Sequence, residues 1–478
     1  MNSEAKAAVN RWPRQVLFIL GNEAAERFSY YGVKGILALY ITGVLFKTKD
    51  YSTNVIHLFS FVNYFMPLLG AWVSDRYWGR YHTILWVSLS YCVGHGVMAL
   101  SDAFQTVDGK LACMWIGLGL IAFGSGGIKP CVSAFMGDQF KPEQRSLLPK
   151  AYAAFYFSIN LGSTLAFFVV PWFRKNLGYS WAFGVPGIAM AIATFIFWLG
   201  TPRYTRIPPA SQTKTAGFFS VLFEAWRRRR ERKVDQSFWD AARAKFSFAE
   251  VDAAKSVGPI LSIFALIPVF WALFDQTFST WVHQGSQMVP YAVPFISIEG
   301  KPYTIGAEEM LAANPILVML FIPILTWGLY PVLGRLVTPL RRMSIGLFLT
   351  ALSYVVVAWL QTRVGSGEKI SVLWQTVPYI ILTLAEVLVS TTGLEFAFTQ
   401  AAPSMKSTIM GFWNLTVALG NLLVIAITTI LAGKGHGEAS VTPERFMLYA
   451  GMTFVVAILF SVIATRYRYR DEAPAQQR

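Results

Sequence analysis

The chain has 478 residues, of which 54% are apolar and only 14% charged, and its mean hydropathy is +0.46. Soluble domains carry about 25% charged residues, so this composition excludes a large soluble enzyme and indicates a membrane protein. The formal net charge of +15 does not point to nucleic acid, because the basic residues sit between apolar stretches and no RNA- or DNA-binding module is visible.

Apolar stretches of about 20 residues, enough to cross a bilayer, fall near 16–46, 52–74, 82–101, 111–137, 147–171, 180–200, 257–284, 311–333, 343–361, 372–400, 407–432 and 446–465. The N-terminus has no apolar core and cleavage site of a signal peptide, so the first span is expected to be retained. The interruption at 201–256 holds no crossing stretch and divides the spans six and six. The pattern predicts an all-α membrane protein with an N-terminal six-helix half (1–200), a cytoplasmic linker (201–256) and a C-terminal six-helix half (257–478). The halves are expected to be pseudo-symmetric, an inference from span count alone, since no strong internal sequence repeat is visible. Lys and Arg crowd alternate connecting segments, most of all 201–256, which predicts that both termini are cytoplasmic. Within the linker, GFFSVLFEAWRRRRERK reads as an amphipathic helix on the inner membrane surface, its arginines near anionic headgroups. The tail RYRYRDEAPAQQR reads as a solvated end. Cys92, Cys113 and Cys131 lie within predicted spans and offer neither a disulfide framework nor metal-ligand spacing.

The first span, VLFILGNEAAERFSYYGVKGILALYITGVLF, carries Glu23, Glu26, Arg27 and Lys34 at bilayer depth. Each costs roughly 2.5–3.5 kcal/mol on insertion scales, so such charges face a protein interior or a water-filled cavity. With Tyr30 and Tyr31 they form one stripe of a 3.6-residue period. Between the second and third spans, GAWVSDRYWGRYHTI holds Asp75, Arg76 and Arg80, a tight basic turn with an acid one helical turn earlier, able to pin helix ends by charge-assisted bonds.

That loop resembles the one after helix 2 of the major facilitator superfamily, where the implied role is an inward gate. NEAAERFSYYG then resembles the ExxERFxYYG motif of the proton-dependent oligopeptide transporter family within that superfamily. Further matches are GSGGIKPCVSAFMGDQF around Lys129, FYFSINLGS around Asn160, FWALFDQTFSTW around Trp271 and Asp275, NPI at Asn314, and AEVLVSTTGLEFAFTQAAPSMKS around Glu386. They span helices 1, 4, 5, 7, 8 and 10 in order. The resemblance implies a proton-coupled symporter importing di- and tripeptides by alternating access. It implies no cofactor other than the coupling proton, and a multi-pass location in a bacterial inner membrane. A related transporter of nitrate or another small organic solute, or a non-transporting peptide receptor, remains an alternative. No HExxH, nucleophile elbow or phosphate loop suggests an enzyme.

The residue types suit a zwitterionic peptide. Lys129 and Lys34 can hold a carboxylate, and Glu386, from the other half, can take the ammonium. Asn160 and Asn314 can serve amides through donor and acceptor atoms. Tyr30, Tyr31 and Tyr64 offer hydroxyls, while Trp271 and Trp413 offer apolar area. For coupling, an acid that gains and loses a basic partner changes its proton affinity. Asp275, pairing in some states with Lys34, leads; Glu23 and Glu26 beside Arg27 follow. His57 stands seven residues before Tyr64, as does a coupling histidine in the family's animal members. Glu395 is left as a structural or gate acid; His82, His95, His283 and His436 read as ordinary. Two departures from the family pattern stand out. Lys34 replaces a frequent arginine and lacks its planar fork, and the linker is too polar for the two extra helices of many bacterial relatives.

Overall fold

A computed structural model describes residues 12–209, 217–231, 236–298, 300–333, 338–432, 440–467 and 469. The placement of the two termini, nearly all of the tail, and His436 lie outside the described residues. The first six membrane helices are α1 (Val16–Gly43), α2 (Lys49–Val73), α3 (Gly79–Ala99), α4 (Val107–Gly137), α5 (Leu148–Leu177) and α6 (Tyr179–Leu199). In the second set, α7 is built from Val257–Phe264, Ile267–Phe274 and Thr280–Gly285; α8 from Ala313–Pro323, a π turn and Tyr330–Leu333. Then come α9 (Pro339–Gly365), α10 (Thr376–Glu386, a π turn, Thr392–Gln400), α11 (Lys406–Ala432) and α12 (Pro443–Arg466).

Nine described stretches are long and apolar enough to cross a membrane. One of them, Lys49–Ala103, is two helices, α2 and α3. The bent pair Phe248–Phe264 and Ile267–Gly285, at 46°, adds α7. Helix α1 completes the twelve; its four charges keep it from looking like a plain lipid-facing span.

Packing carries the pseudo-symmetry that the sequence did not. Helix α1 lies on α5 as α7 lies on α11, and α3 lies on α6 as α9 lies on α12. The halves meet where α2 packs on α11 and α5 on α8. Helix α2 ends in a π turn, Ser74–Trp78, and α8 contains one, Ile324–Leu329, before its last turn. Short side chains set the turns: Thr48, Thr106, Thr338 and Thr442 cap helix starts by accepting from backbone N–H groups, which satisfies donors a helix cannot pair internally. Gly178, at φ 86°, turns α5 into α6 through a conformation that costs an L side chain energy.

Two features depart from the sequence reading. Residues Tyr291–Ile298 and Lys301–Ile305 form an antiparallel hairpin between α7 and α8, a small β element in a chain expected to be all-α. The linker does contain the expected amphipathic helix, Phe218–Arg227, with Phe218, Val221, Glu224 and Ala225 buried. That buried face docks on α11 through Phe218 and Phe412, while Phe219, Phe223 and Trp226 are exposed.

Helix α4 crosses its neighbours at glycine. A Cβ on Gly126 would stand 2.1 Å from Cβ of Met66 in α2, whereas Gly119 of the same helix has nothing within 4 Å. Forcing a methyl into such a contact costs about 1–3 kcal/mol. Gly126→Ala is therefore expected to lower the melting temperature of the detergent-solubilised protein, and Gly119→Ala to leave it unchanged or raise it; equal melting curves would contradict this crossing.

Candidate functional site

The α1 stripe is buried as its period requires. Glu23, Glu26, Tyr30 and Lys34 are at most 1% exposed. Arg27 Nε lies 2.7 Å from Glu23 Oε1 and 3.2 Å from Glu26 Oε2, so one guanidinium serves two carboxylates. Ser125 of α4 donates to Glu26 Oε1 at 3.0 Å. Close approach of α5 holds this cluster: a Cβ on Gly162 would come 2.3 Å from the Ala24 carbonyl oxygen and 3.2 Å from Cβ of Arg27.

Seven residues after Arg27, Lys34 Nζ donates to Asp275 Oδ1 at 2.9 Å across the interface between the halves, and lies 4.1 Å from the Phe278 ring centroid. Asp275 opens a 3-10 turn, Asp275–Phe278, that interrupts α7. Its second oxygen accepts from Asn421 Nδ2 of α11 at 2.7 Å. The same amide nitrogen donates to the Val417 carbonyl at 2.9 Å, which fixes the amide's orientation and turns Asn421 Oδ1 to His57 Nδ1, 2.7 Å away. An acceptor there requires that Nδ1 carry a proton, so in neutral His57 Nε2 accepts from Ser279 Oγ at 3.0 Å. Lys34, Asp275, Asn421, His57 and Ser279 thus form one buried chain joining α1, α7, α11 and α2.

More contacts between the halves lie at the end of the bundle beyond this chain. Arg174 pairs with Glu308 at 2.7 Å, and Lys175 with Glu309. His283 Nε2 meets Ser52 Oγ at 3.1 Å, and Asp50 accepts from the Ser440 N–H at 2.8 Å. The sequence reading took His283 as ordinary; its place on the face of α7 turned to α2 is a tertiary fact that spacing does not reveal.

Below the Lys34–Asp275 pair, Lys129 Nζ is buried with no hydrogen-bond partner among the described residues. It stands 4.2 Å from the Tyr30 ring centroid and 4.7 Å from that of Tyr64, held by two π faces. Tyr31 stacks on Phe278 with centroids 5.9 Å apart. From the other half, Glu386 Oε2 accepts from Asn314 Nδ2 at 2.6 Å, and Thr383 Oγ1 accepts from the same nitrogen at 3.2 Å. Glu386 interacts electrostatically with Tyr31 and Tyr64, and with Tyr156 of α5, which the sequence reading passed over. Asn160 instead donates to the Tyr156 carbonyl of its own helix at 2.9 Å. Trp271 and Trp413 meet edge to face at 6.2 Å, and Trp413 closes over Gly393, where a Cβ would come 2.3 Å from the ring. The arrangement offers the Lys129 cation on one half, near the Glu23–Glu26–Arg27 cluster, and a carboxylate on the other, with aromatic walls between them.

This geometry has known counterparts. The sequence model of the POT family matches residues 81–440. The chain belongs to the POT family. Among curated relatives it is 37% identical to Peptide transporter family 1 of Drosophila melanogaster over 74% of this chain and 48% of that one. To Solute carrier family 15 member 2 of Danio rerio it is 36% identical, over 73% of this chain and 50% of the other. It therefore spans about half the length of those relatives. Among solved structures, an auto inhibited POT family peptide transporter superposes with a TM-score of 0.84 at 37% identity, covering 96% of this chain and 98% of that one. The POT family transporter PepTSo superposes with a TM-score of 0.84 at 38% identity over 96% and 99%.

In this POT family chain the loop after α2 places Arg80 against a carboxylate of another helix. Arg80 does not reach Asp75; its Nη1 donates to both carboxylate oxygens of Asp138, at the end of α4. Asp75 and Arg76 are exposed. The partner sits 58 residues away, so loop spacing could not name it. Arg342 pairs with Glu395 at 3.3 Å in the same relation, start of α9 to end of α10, giving Glu395 a place in the fold. Among the described residues no cluster of His, Cys, Asp or Glu is set to hold a metal ion, and the three cysteines are free thiols.

Removing one partner of a buried ion pair strands the other charge at a cost of about 3–5 kcal/mol, whereas replacing both with apolar groups is often neutral. Lys34→Met is accordingly expected to lower the melting temperature, and Lys34→Met/Asp275→Leu to recover most of the loss. A double variant no more stable than the single one would show that the pair is not the relevant contact.

Proposed function

We propose that this chain is a proton-coupled symporter that imports di- and tripeptides by alternating access. The observation that carries this reading is the buried Lys129 ammonium, which has no hydrogen-bond partner while Glu386 faces the same walls from the opposite half. A buried cation without a hydrogen-bond partner is costly, and a peptide carboxylate supplies a direct acceptor that the more distant Glu23 and Glu26 do not. The ammonium at the other end of the peptide goes to Glu386, which exchanges part of its bond with Asn314 for the ligand. Tyr30, Tyr31 and Tyr64 line the carboxylate side. Asn160 and Asn314 serve the amides, and Trp271 and Trp413 bound the side-chain space. An inorganic anion such as nitrate would leave Glu386 without a partner, which favours a zwitterion.

Proton coupling follows from the Lys34–Asp275 pair. Protonating Asp275 removes its attraction for Lys34 and turns an acceptor shared with Asn421 into a donor, releasing the chain that runs to His57. The lysine so freed can join Lys129 at the peptide carboxylate, which ties substrate to proton. Glu23, Glu26 and Arg27 form a second proton-sensitive cluster in which two carboxylates compete for one guanidinium. Asp75, Arg76 and Arg80 belong to the opposite end, where Arg80 and Asp138 fasten α3 to α4.

The chain divides into a half at 1–200, a linker at 201–256 and a half at 257–478, a division supported by a hydrophobic cluster drawn mainly from the first half and by others from the second, with the linker packed onto the second. The linker and both termini lie in the cytoplasm of a bacterial cell, with the protein in the inner membrane. On that orientation the Lys34–Asp275, Arg174–Glu308 and Lys175–Glu309 pairs close the outer end, and the conformation faces inward.

Purified protein in liposomes is expected to accumulate dialanine when a proton gradient or an inside-negative potential is imposed, and to lose accumulation on addition of an uncoupler. Asp275→Asn should keep counterflow exchange of labelled dipeptide and lose uphill accumulation. Lys129→Gln should raise KM by about 10- to 100-fold, the value of a charged hydrogen bond. Full accumulation by Asp275→Asn would remove that residue from the coupling step.

A further inference from the structure

A cavity of about 730 Å³ at the Arg80 end of the bundle lies apart from the peptide pocket and has no part in the mechanism above. The chain leaves α2 through its π turn, reverses at Gly79 (φ 71°) and starts α3, while residues 206–209 after α6 run back across that start. Tyr81 and Phe135, 5% and 1% exposed, line its inner side. Trp78 and Trp86, 46% and 57% exposed, stand at its mouth. Trp86 is two turns into a membrane-crossing helix, so its exposed ring faces lipid, at the depth where tryptophan concentrates in membrane proteins.

The polar side of the cavity is cationic. Arg206 lies with its guanidinium carbon 4.3 Å from the Tyr81 ring centroid and donates through Nη2 to the Thr201 carbonyl at 3.1 Å. Arg80 uses Nη1 alone on Asp138, leaving the rest of its planar fork for a second anion. The exposed Asp75 and Arg76, just before the lining residues in sequence, are not among them. The volume is that of a small-molecule site, and one of its lining residues is the exposed Trp86 of a membrane-crossing helix.

We propose that this cavity binds an anionic phospholipid of the adjacent leaflet, the phosphate held by Arg206 and Arg80 and the upper acyl chain lying on Trp86. Guanidinium forks suit phosphate oxygens, and the lipid-facing indole distinguishes this occupant from a soluble anion. Because phosphate and Asp138 share Arg80, an occupied cavity bears on the tie between α3 and α4. The identification of that leaflet as the cytoplasmic one rests on the orientation proposed above; binding does not.

The test uses the full chain, purified in detergent, delipidated and titrated with phosphatidylglycerol or phosphatidylcholine under native mass spectrometry. The wild type is expected to bind phosphatidylglycerol about tenfold more tightly than phosphatidylcholine. Arg206→Ala, an exposed position whose melting curve reports its folding, should lose that preference, and Arg206→Lys should recover part of it. Phosphatidylglycerol brominated in its acyl chains should quench tryptophan fluorescence less in Trp86→Phe than in wild type. Unchanged preference in folded Arg206→Ala, equal quenching in Trp86→Phe, or displacement of the lipid by millimolar inorganic phosphate would each overturn the proposal. None of these readouts depends on peptide uptake, so they stand or fall separately from the transport reading.

Discussion

The contact on which the rest of the structure depends is the buried pair between Lys34 and Asp275. Neither charge sees water, so each must be neutralised by the other, and they belong to different halves of the chain. A pair of this kind contributes little net stability compared with apolar packing. On the proposed reading it supplies a condition: the halves close at this end only while one group is protonated and the other is not. The flanking geometry sharpens that condition. Asp275 sits on a 3-10 turn where α7 is broken, not within a continuous helix, so the carboxylate can be withdrawn without unwinding a regular hydrogen-bond ladder.

The contrast with Lys129 explains why two buried lysines, both read from sequence as a carboxylate clamp, differ in this conformation. Lys34 has a carboxylate at 2.9 Å. Lys129 has two tyrosine rings and no hydrogen bond. The clamp is therefore half assembled, and on the proposed reading its second member is released by the coupling proton. Substrate and proton act on the same lysine from opposite sides, which is the differential interaction a ligand needs in order to shift a conformational equilibrium.

The parts of this arrangement that were legible in the sequence are those set by local period. The stripe Glu23, Glu26, Arg27, Tyr30, Tyr31 and Lys34 follows from 3.6 residues per turn, and the helix bounds follow from apolar length. What was not legible depends on partners far along the chain. Asn421 is one polar residue in an apolar helix, and nothing in NLTVALGNLL says that it bridges Asp275 and His57. The loop holding Arg80 was read as able to pin helix ends, but only the fold names Asp138 as the partner. The hairpin at Tyr291–Ile305 was missed because its strands have mixed exposure and pair out of register between Ala292 and Ser297, which blurs the two-residue alternation by which strands are recognised.

The repeated architecture also shows how the two ends of the molecule differ. Each half ties its third helix to its fourth at the same end: Arg80 to Asp138 in the first, Arg342 to Glu395 in the second. These bonds run within a half. At the opposite end, Lys34–Asp275, Arg174–Glu308 and Lys175–Glu309 run between halves. On the proposed reading, a bundle whose ion pairs run within each half at one end and between the halves at the other parts at the first end, where the α2–α11 contact is apolar, as at Leu68 and Gly411. Closing that end requires new contacts between halves, at the expense of those already made. Interfaces of packed helices are bistable, not continuously deformable, so the charges sort into two sets. On the proposed alternating-access reading, one set keeps each half rigid, and the other must be broken to reach the next state.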